Sequence, residues 1–205
     1  MIQITRAVAG VIALAVAVTL CVRTGMTMQE NGASVAGALW IDYRFFTIWA
    51  NTLVGLVCAA IALGRVPPHW LTAGPALAIA LVAGVYHALL AEGRNLTGLD
   101  LVVDTMLHTV VPAAFILFWM LALPKGRLAW RDLIIWSAYP IAYPIAYSIY
   151  AILRGTFDGV HPYFFLNVDQ LGAGGVALWV AGLTSVFLVV GAIMVACARR
   201  FAATA

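Results

Sequence analysis

The sequence predicts an all-α polytopic membrane protein: residues 1–205 form one domain of six transmembrane helices in a bundle, with both termini cytoplasmic. Three observations lead there. Apolar residues make up 64% of the chain and charged residues 9%, with a mean hydropathy of +1.02; a soluble domain carries about 25% charged residues. The apolar residues gather into runs of about 20, enough for a helix to cross roughly 30 Å of hydrocarbon. These runs lack the apolar–polar alternation of a membrane barrel strand, and in lipid the helix is then the structure left that satisfies every backbone group.

The first run, about Ala7–Val22, follows Arg6 as a signal peptide would. No small-x-small cleavage site comes before Cys21-Val22-Arg23, so it reads as a retained helix. The others are Phe45–Leu63, Leu71–Leu90, Leu101–Leu123, Leu133–Leu153 and Gly172–Ala198. Their direction follows from the basic residues. Arg6, Arg65, Lys125, Arg127, Arg131, Arg199 and Arg200 fall on one side, against Arg23, Arg44, Arg94 and Arg154 on the other. The richer side is cytoplasmic. Glu30, Asp42, Glu92, Asp100, Asp158 and Asp169 all fall on the outer side. The longest connections, Arg23–Arg44 and Arg154–Leu171, are also outer and carry Trp40, Tyr43, Tyr163, Phe164 and Phe165, as an interfacial aromatic belt does. Ala/Val/Gly-rich usage points to a bacterial plasma membrane.

The net charge of +3 does not indicate a nucleic-acid partner, because the basic residues stand singly at the ends of apolar runs. Cys21, Cys58 and Cys197 lie in or beside those runs without CxxC spacing, so they read as free thiols, with no metal site and no disulfide. No internal repeat suggests a transporter built from inverted halves.

Polar residues within spans are costly and mark function. Asp104 and His108 in the fourth run are spaced i, i+4 and share a face, as do Thr47 and Asn51 in the second. Counting a rise of about 1.5 Å per residue from the outer boundary puts Thr47 roughly 7 Å past Asp42 and His108 roughly 12 Å past Asp100. His87, near the end of the third run, reaches the same layer. Pro112 lacks an amide hydrogen and collides with the carbonyl four residues earlier, that of His108. A kink with a freed acceptor is expected there. Pro140 and Pro144 interrupt the fifth run, where Tyr143 and Tyr147 are placed to line a cavity.

Two segments carry a resemblance. Arg44-Phe45-Phe46-Thr47-Ile48-Trp49 and Asp104-Thr105-Met106-Leu107-His108-Thr109-Val110-Val111-Pro112 resemble the basic–aromatic–x-Thr and His-Thr-x-x-Pro motifs of one family, that of the androgen-induced protein and the androgen-dependent tissue-factor-pathway-inhibitor-regulating protein, with its bacterial membrane relatives. Pro162-Tyr163-Phe164-Phe165-Leu166 is similar to that family's Tyr-Pro-Phe-Leu element, with an extra aromatic. The resemblance implies an intramembrane threonine hydrolase of fatty acid esters of hydroxy fatty acids, with Thr47 as nucleophile and His108 as its base and no cofactor. Asp104 stands where the animal proteins have Asn, and an acid there completes a triad.

On that expectation, His108 takes the proton of Thr47 as it attacks an ester carbonyl. Asn51, then Tyr143 and Tyr147, are candidates to stabilise the oxyanion, and His87 lies near the site. The substrate enters sideways from the bilayer. The same polar cluster also fits two other classes. His87 and His108 as axial ligands would make a haem- or quinone-linked redox protein, and a proton relay would make a non-enzymatic lipid or proton carrier.

Overall fold

A computed structural model of the protein describes residues 3–125, 128–153 and 161–203, which are helical or in connecting turns throughout. Arg127, Arg154 and Asp158 of the charge count, and the side chain of Tyr147, lie outside the described residues. The chain divides into two compact units, Met1–Lys125 and Gly126–Ala205.

In the first unit, α1 (Gln3–Asn31) runs well past the predicted Val22. Gly32, at φ +59°, ends it, and the Ala33 amide donates back to the Met28 carbonyl, so the last turn is closed by a glycine that accepts the left-handed conformation. A short helix, α2 (Val35–Asp42), follows, with Ser34 as its N-cap accepting from the Gly37 amide. The chain then turns by 105° into α3 (Phe46–Ala62). The stretch 23–44, expected as a loop, is therefore largely helix. Part of its polar content is turned inward: Thr24 and Thr27 are three apart on α1 and both bond Asp42. Next come α4 (His69–Val85), which continues through a π turn at Tyr86–Leu90, and α5 (Gly98–Thr105), which continues through a second π turn at Met106–Val110 into α6 (Val111–Ala122).

α1 packs most extensively on α3, and α4 lies against α3 and α6. The buried residues of α3, among them Ile48, Asn51, Val54, Cys58 and Ile61, recur at three- and four-residue steps and form one stripe. Ile48, Val103 and Leu107 form a small core with Leu20, Val22, Met26 and Phe45 around it. Small residues let α1 and α3 approach closely. A Cβ on Gly55 would stand 2.9 Å from Val16 Cγ1, and Val16 is itself buried in the helix pair. Gly55→Val is expected to destabilise the protein by about 1–3 kcal/mol, the usual range for overpacking a filled interior. Thermal unfolding in detergent measures it, and an unchanged midpoint would mean the pair is looser than described.

The second unit holds α7 (Trp130–Leu153), a 3-10 turn at Phe164–Leu166 and α8 (Val168–Ala203), whose helix is broken at Gly172 (φ 65°, ψ 168°). Its aromatic cluster joins Tyr163 and Phe165, stacked at 4.9 Å, to Trp179, whose ring meets Phe164 edge-on at 5.3 Å.

Among the described residues four helical stretches are long and apolar enough to cross a membrane: Gln3–Asn31, His69–Leu90, Gly98–Ala122 and Val168–Arg200; the bent pair α2–α3, taken as one span, makes five. α7, which covers the fifth predicted run, is not among them; its sequence carries Tyr139, Pro140, Tyr143, Pro144, Tyr147 and Tyr150, which thin out its apolar content. Leu178, Val186, Val189 and Ile193 of α8 and Val11, Leu14 and Val18 of α1 are exposed. Rows of bare apolar side chains on helices of spanning length are stable against lipid tails and unstable against water. The chain is an integral membrane protein.

Candidate active site

The site lies in the first unit, where the start of α3 meets the π turn at Met106–Val110 and Tyr86 of the first π turn stacks on His108. A π turn winds five residues per hydrogen-bonded step and is uncommon outside functional sites. Here its cause is local. Pro112 has no amide hydrogen to offer the His108 carbonyl, and its ring would strike that carbonyl in α geometry. The Val111 amide instead reaches five residues back, to the Met106 carbonyl. The structure thus replaces the expected sharp kink with a widened turn that carries His108.

Thr47 is the second residue of α3, after the extended Phe45 that caps it. Its Oγ1 lies 3.3 Å from His108 Nε2. The other ring nitrogen, Nδ1, stands 3.0 Å from the Asp104 carbonyl oxygen and 3.3 Å from Asp104 Oδ1. With two acceptors facing Nδ1, that nitrogen carries the proton of the neutral ring. Nε2 is then the acceptor for the threonine hydroxyl. The reach from Asp42 that places Thr47 about 7 Å along a shared axis does not apply, because Asp42 belongs to α2, across the 105° bend.

Asp104 is the centre of this arrangement. Its Oδ2 accepts from the Tyr86 hydroxyl, and Arg94 Nη1 lies 3.3 Å from Oδ1. The Tyr86 ring stacks on the His108 ring at 4.0 Å between centroids and 11° between planes, and the Arg94 guanidinium carbon lies over the Tyr86 ring at 5.9 Å from its centroid. A buried carboxylate without such donors would be costly. Sequence reasoning misses Tyr86 and Arg94. The signal available was the demand itself: Asp104 in a span needs several donors, and a buried phenol needs an acceptor.

Asn51 is fully buried one turn along α3 and donates from Nδ2 to the carbonyls of Thr47 (2.9 Å) and Leu107 (3.2 Å). It ties α3 to the π turn of His108. Both amide hydrogens are spent in those bonds, and among the described residues its Oδ1 has no partner. Asn51 therefore has a buried acceptor to spare, where the sequence suggests an oxyanion donor. His87 pairs its Nε2 with Thr109 Oγ1 at 3.0 Å and meets Tyr86 edge-on; it stands beside the site, turned to a different partner from His108. Tyr143 is buried in the second unit, edge-on to Tyr163 at 6.3 Å.

A second polar knot fixes the bend before Thr47. Asp42, at the end of α2, is 2% exposed and accepts from Thr27 Oγ1 (2.7 Å) and Thr24 Oγ1 (3.1 Å), with Arg23 Nε at 3.4 Å. The indole Nε1–H of Trp49 donates to the Tyr43 carbonyl at 2.6 Å, and the Tyr43 hydroxyl lies 3.0 Å from Thr52 Oγ1, so the bend is also pinned to α3 itself. Among the described residues no group of three or more His, Cys, Asp or Glu side chains is placed to hold a metal ion. Comparison with protein-family models, with curated proteins and with solved structures returns no match for this chain.

Proposed function

We propose that the protein is an intramembrane threonine hydrolase that cleaves lipid esters such as fatty acid esters of hydroxy fatty acids. The observation that carries this reading is the Thr47 Oγ1–His108 Nε2 contact of 3.3 Å, with Nδ1 of the same ring held on Asp104. A hydroxyl is a weak nucleophile until a base removes its proton, and an oriented neutral imidazole is such a base. In the reaction, Thr47 Oγ attacks the ester carbonyl as its proton passes to His108 Nε2. The imidazolium is stabilised by Asp104 and returns the proton to the departing alkoxide. This leaves an acyl-threonine and a free alcohol. His108 then takes a proton from water, whose oxygen attacks the acyl carbon, and hands it to Thr47 as the acid departs. The position of Thr47 in the first turn of α3 supports the same reading, because the positive end of the helix dipole favours charge developing there.

On this reading the chain crosses a bacterial plasma membrane six times, α2–α3 and α7 each counting as one span, and both termini are cytoplasmic. The seven-to-four distribution of basic residues supports that orientation. The acyl chains reach the site sideways from the lipid.

A fluorophosphonate probe tests the proposal. In purified protein the probe is expected to label Thr47, as peptide mapping by mass spectrometry would show, and His108→Gln is expected to prevent labelling. Labelling at another residue, or none in protein that hydrolyses esters, removes Thr47 as the nucleophile.

A further inference from the structure

Arg94 is the one charged group at the site that the proposed chemistry leaves unused. Its guanidinium shares Asp104 Oδ1 with His108: Nη1 and Nδ1 each lie 3.3 Å from that same oxygen. The side chain is 45% exposed, against 10% for Asp104, and it stands on the connection between the first π turn and α5. Among the described residues Asp104 is its single ion-pair partner, through one nitrogen. A guanidinium has five N–H donors in a planar fork that suits a carboxylate or phosphate. Arg94, half-exposed and over the Tyr86 ring, therefore keeps the rest of its fork out of any ion pair while holding the carboxylate that would stabilise a charged His108. A cation on Asp104 draws away part of the negative charge that His108 relies on.

We propose that Arg94 is an anion-operated restraint on the Asp104–His108 pair: a carboxylate or phosphate group arriving at the exposed fork draws the guanidinium off Oδ1 and leaves the carboxylate to the histidine. An anion can drive this because it binds the withdrawn guanidinium better than the paired one, and that difference is what shifts a two-state equilibrium. The inference rests on the hydrolase reading for its consequence, but its geometry can be read without catalysis.

Two readouts separate the two. The first is the rate of Thr47 labelling by a neutral organophosphorus ester at fixed pH. The second is the Nδ1 proton resonance of His108 in 15N-histidine protein, assigned with His108→Gln, which moves downfield as the bond to Asp104 strengthens. Arg94→Gln is expected to move the resonance downfield and to speed labelling about 3- to 10-fold, the scale of one neighbouring charge. Arg94→Lys, which keeps the charge, stays near the parent. The parent protein in nanodiscs of phosphatidylcholine is then compared with the same discs containing phosphatidylglycerol, with added laurate, and with inorganic phosphate. Anions that work should shift the parent toward Arg94→Gln and leave Arg94→Gln itself unmoved. Response to the amphiphiles alone identifies a lipid headgroup or fatty acid as the ligand; response to inorganic phosphate identifies a soluble anion. A variant Arg94→Gln with an unmoved resonance, or one that responds to anions as the parent does, overturns the restraint. If the resonance behaves as stated while no form of the protein labels at Thr47, the hydrolase reading fails and the restraint stands.

Discussion

Under the proposed threonine mechanism, Thr47→Ala and His108→Gln are each expected to lower lipid-ester hydrolysis by about a thousandfold or more, the loss typical when a nucleophile or its base is removed. The reason lies in how the pair is built. Thr47 is nearly buried and its hydroxyl meets a ring nitrogen already deprived of its proton by the tautomer that Asp104 selects. Glutamine at 108 keeps much of the size of histidine and an amide that can bond the hydroxyl, but an amide does not accept a proton at neutral pH. The double variant should be little worse than either single one, because the two side chains act as a unit. Asp104→Leu should cost less than either, about a hundredfold, since it removes the carboxylate facing Nδ1 and leaves the residue-104 carbonyl as the ring's remaining acceptor. Assays in detergent against ester substrates, with circular dichroism to verify the helix content, measure the series. Thr47→Ala hydrolysing at the parental rate would end the threonine mechanism.

Asp42→Ala is expected to be the most destabilising single change, at about 2–4 kcal/mol, somewhat below the loss usual when one partner of a fully buried ion pair is deleted because Arg23 is partly exposed. The magnitudes decide which bond matters. A side-chain hydrogen bond between membrane helices averages about 0.6 kcal/mol, so Thr24→Val or Thr27→Val alone should shift stability little. Removing the carboxylate leaves two hydroxyls and a guanidinium facing an apolar interior together, with Glu30, 3.7 Å from Arg23, as the remaining counter-ion. Because Asp42 is five residues before Thr47 and ends the helix that bends into α3, the same variant should also slow Thr47 labelling in the folded fraction. Unfolding titrations in denaturing detergent measure the first effect. A midpoint within error of the parent for Asp42→Ala would mean that Arg23 and the threonines are satisfied without it.

The predicted runs agree with the observed helices to within a few residues at most boundaries, because the bilayer imposes one length and one apolar requirement on each. They part at 23–44. There the apolar periodicity stops while the helix continues, since Thr24, Thr27 and Asp42 satisfy one another across α1 and α2 and no window along the chain registers such a pairing. In the site, the i, i+4 spacing of Asp104 with His108 and of Thr47 with Asn51 is legible as shared faces. What those faces carry is less so. The use of Asn51 depends on two carbonyls of separate segments, Arg94 and Tyr86 lie 14 and 22 residues from His108 in sequence, and of the two π turns only the one before Pro112 has a proline to announce it.

The bend between α2 and α3 has a mechanical corollary. α2 leaves α3 at 105°, its Val35, Leu39 and Trp40 exposed to the surroundings. Eight helical residues make a lever of about 12 Å, so lifting its tip by about 1 Å swings it through roughly 5° at the end nearest Thr47. The tie from Asp42 to α1 is the spring that opposes such a movement. A push on α2 is in this way borne first by the turn that sets where the Thr47 hydroxyl stands.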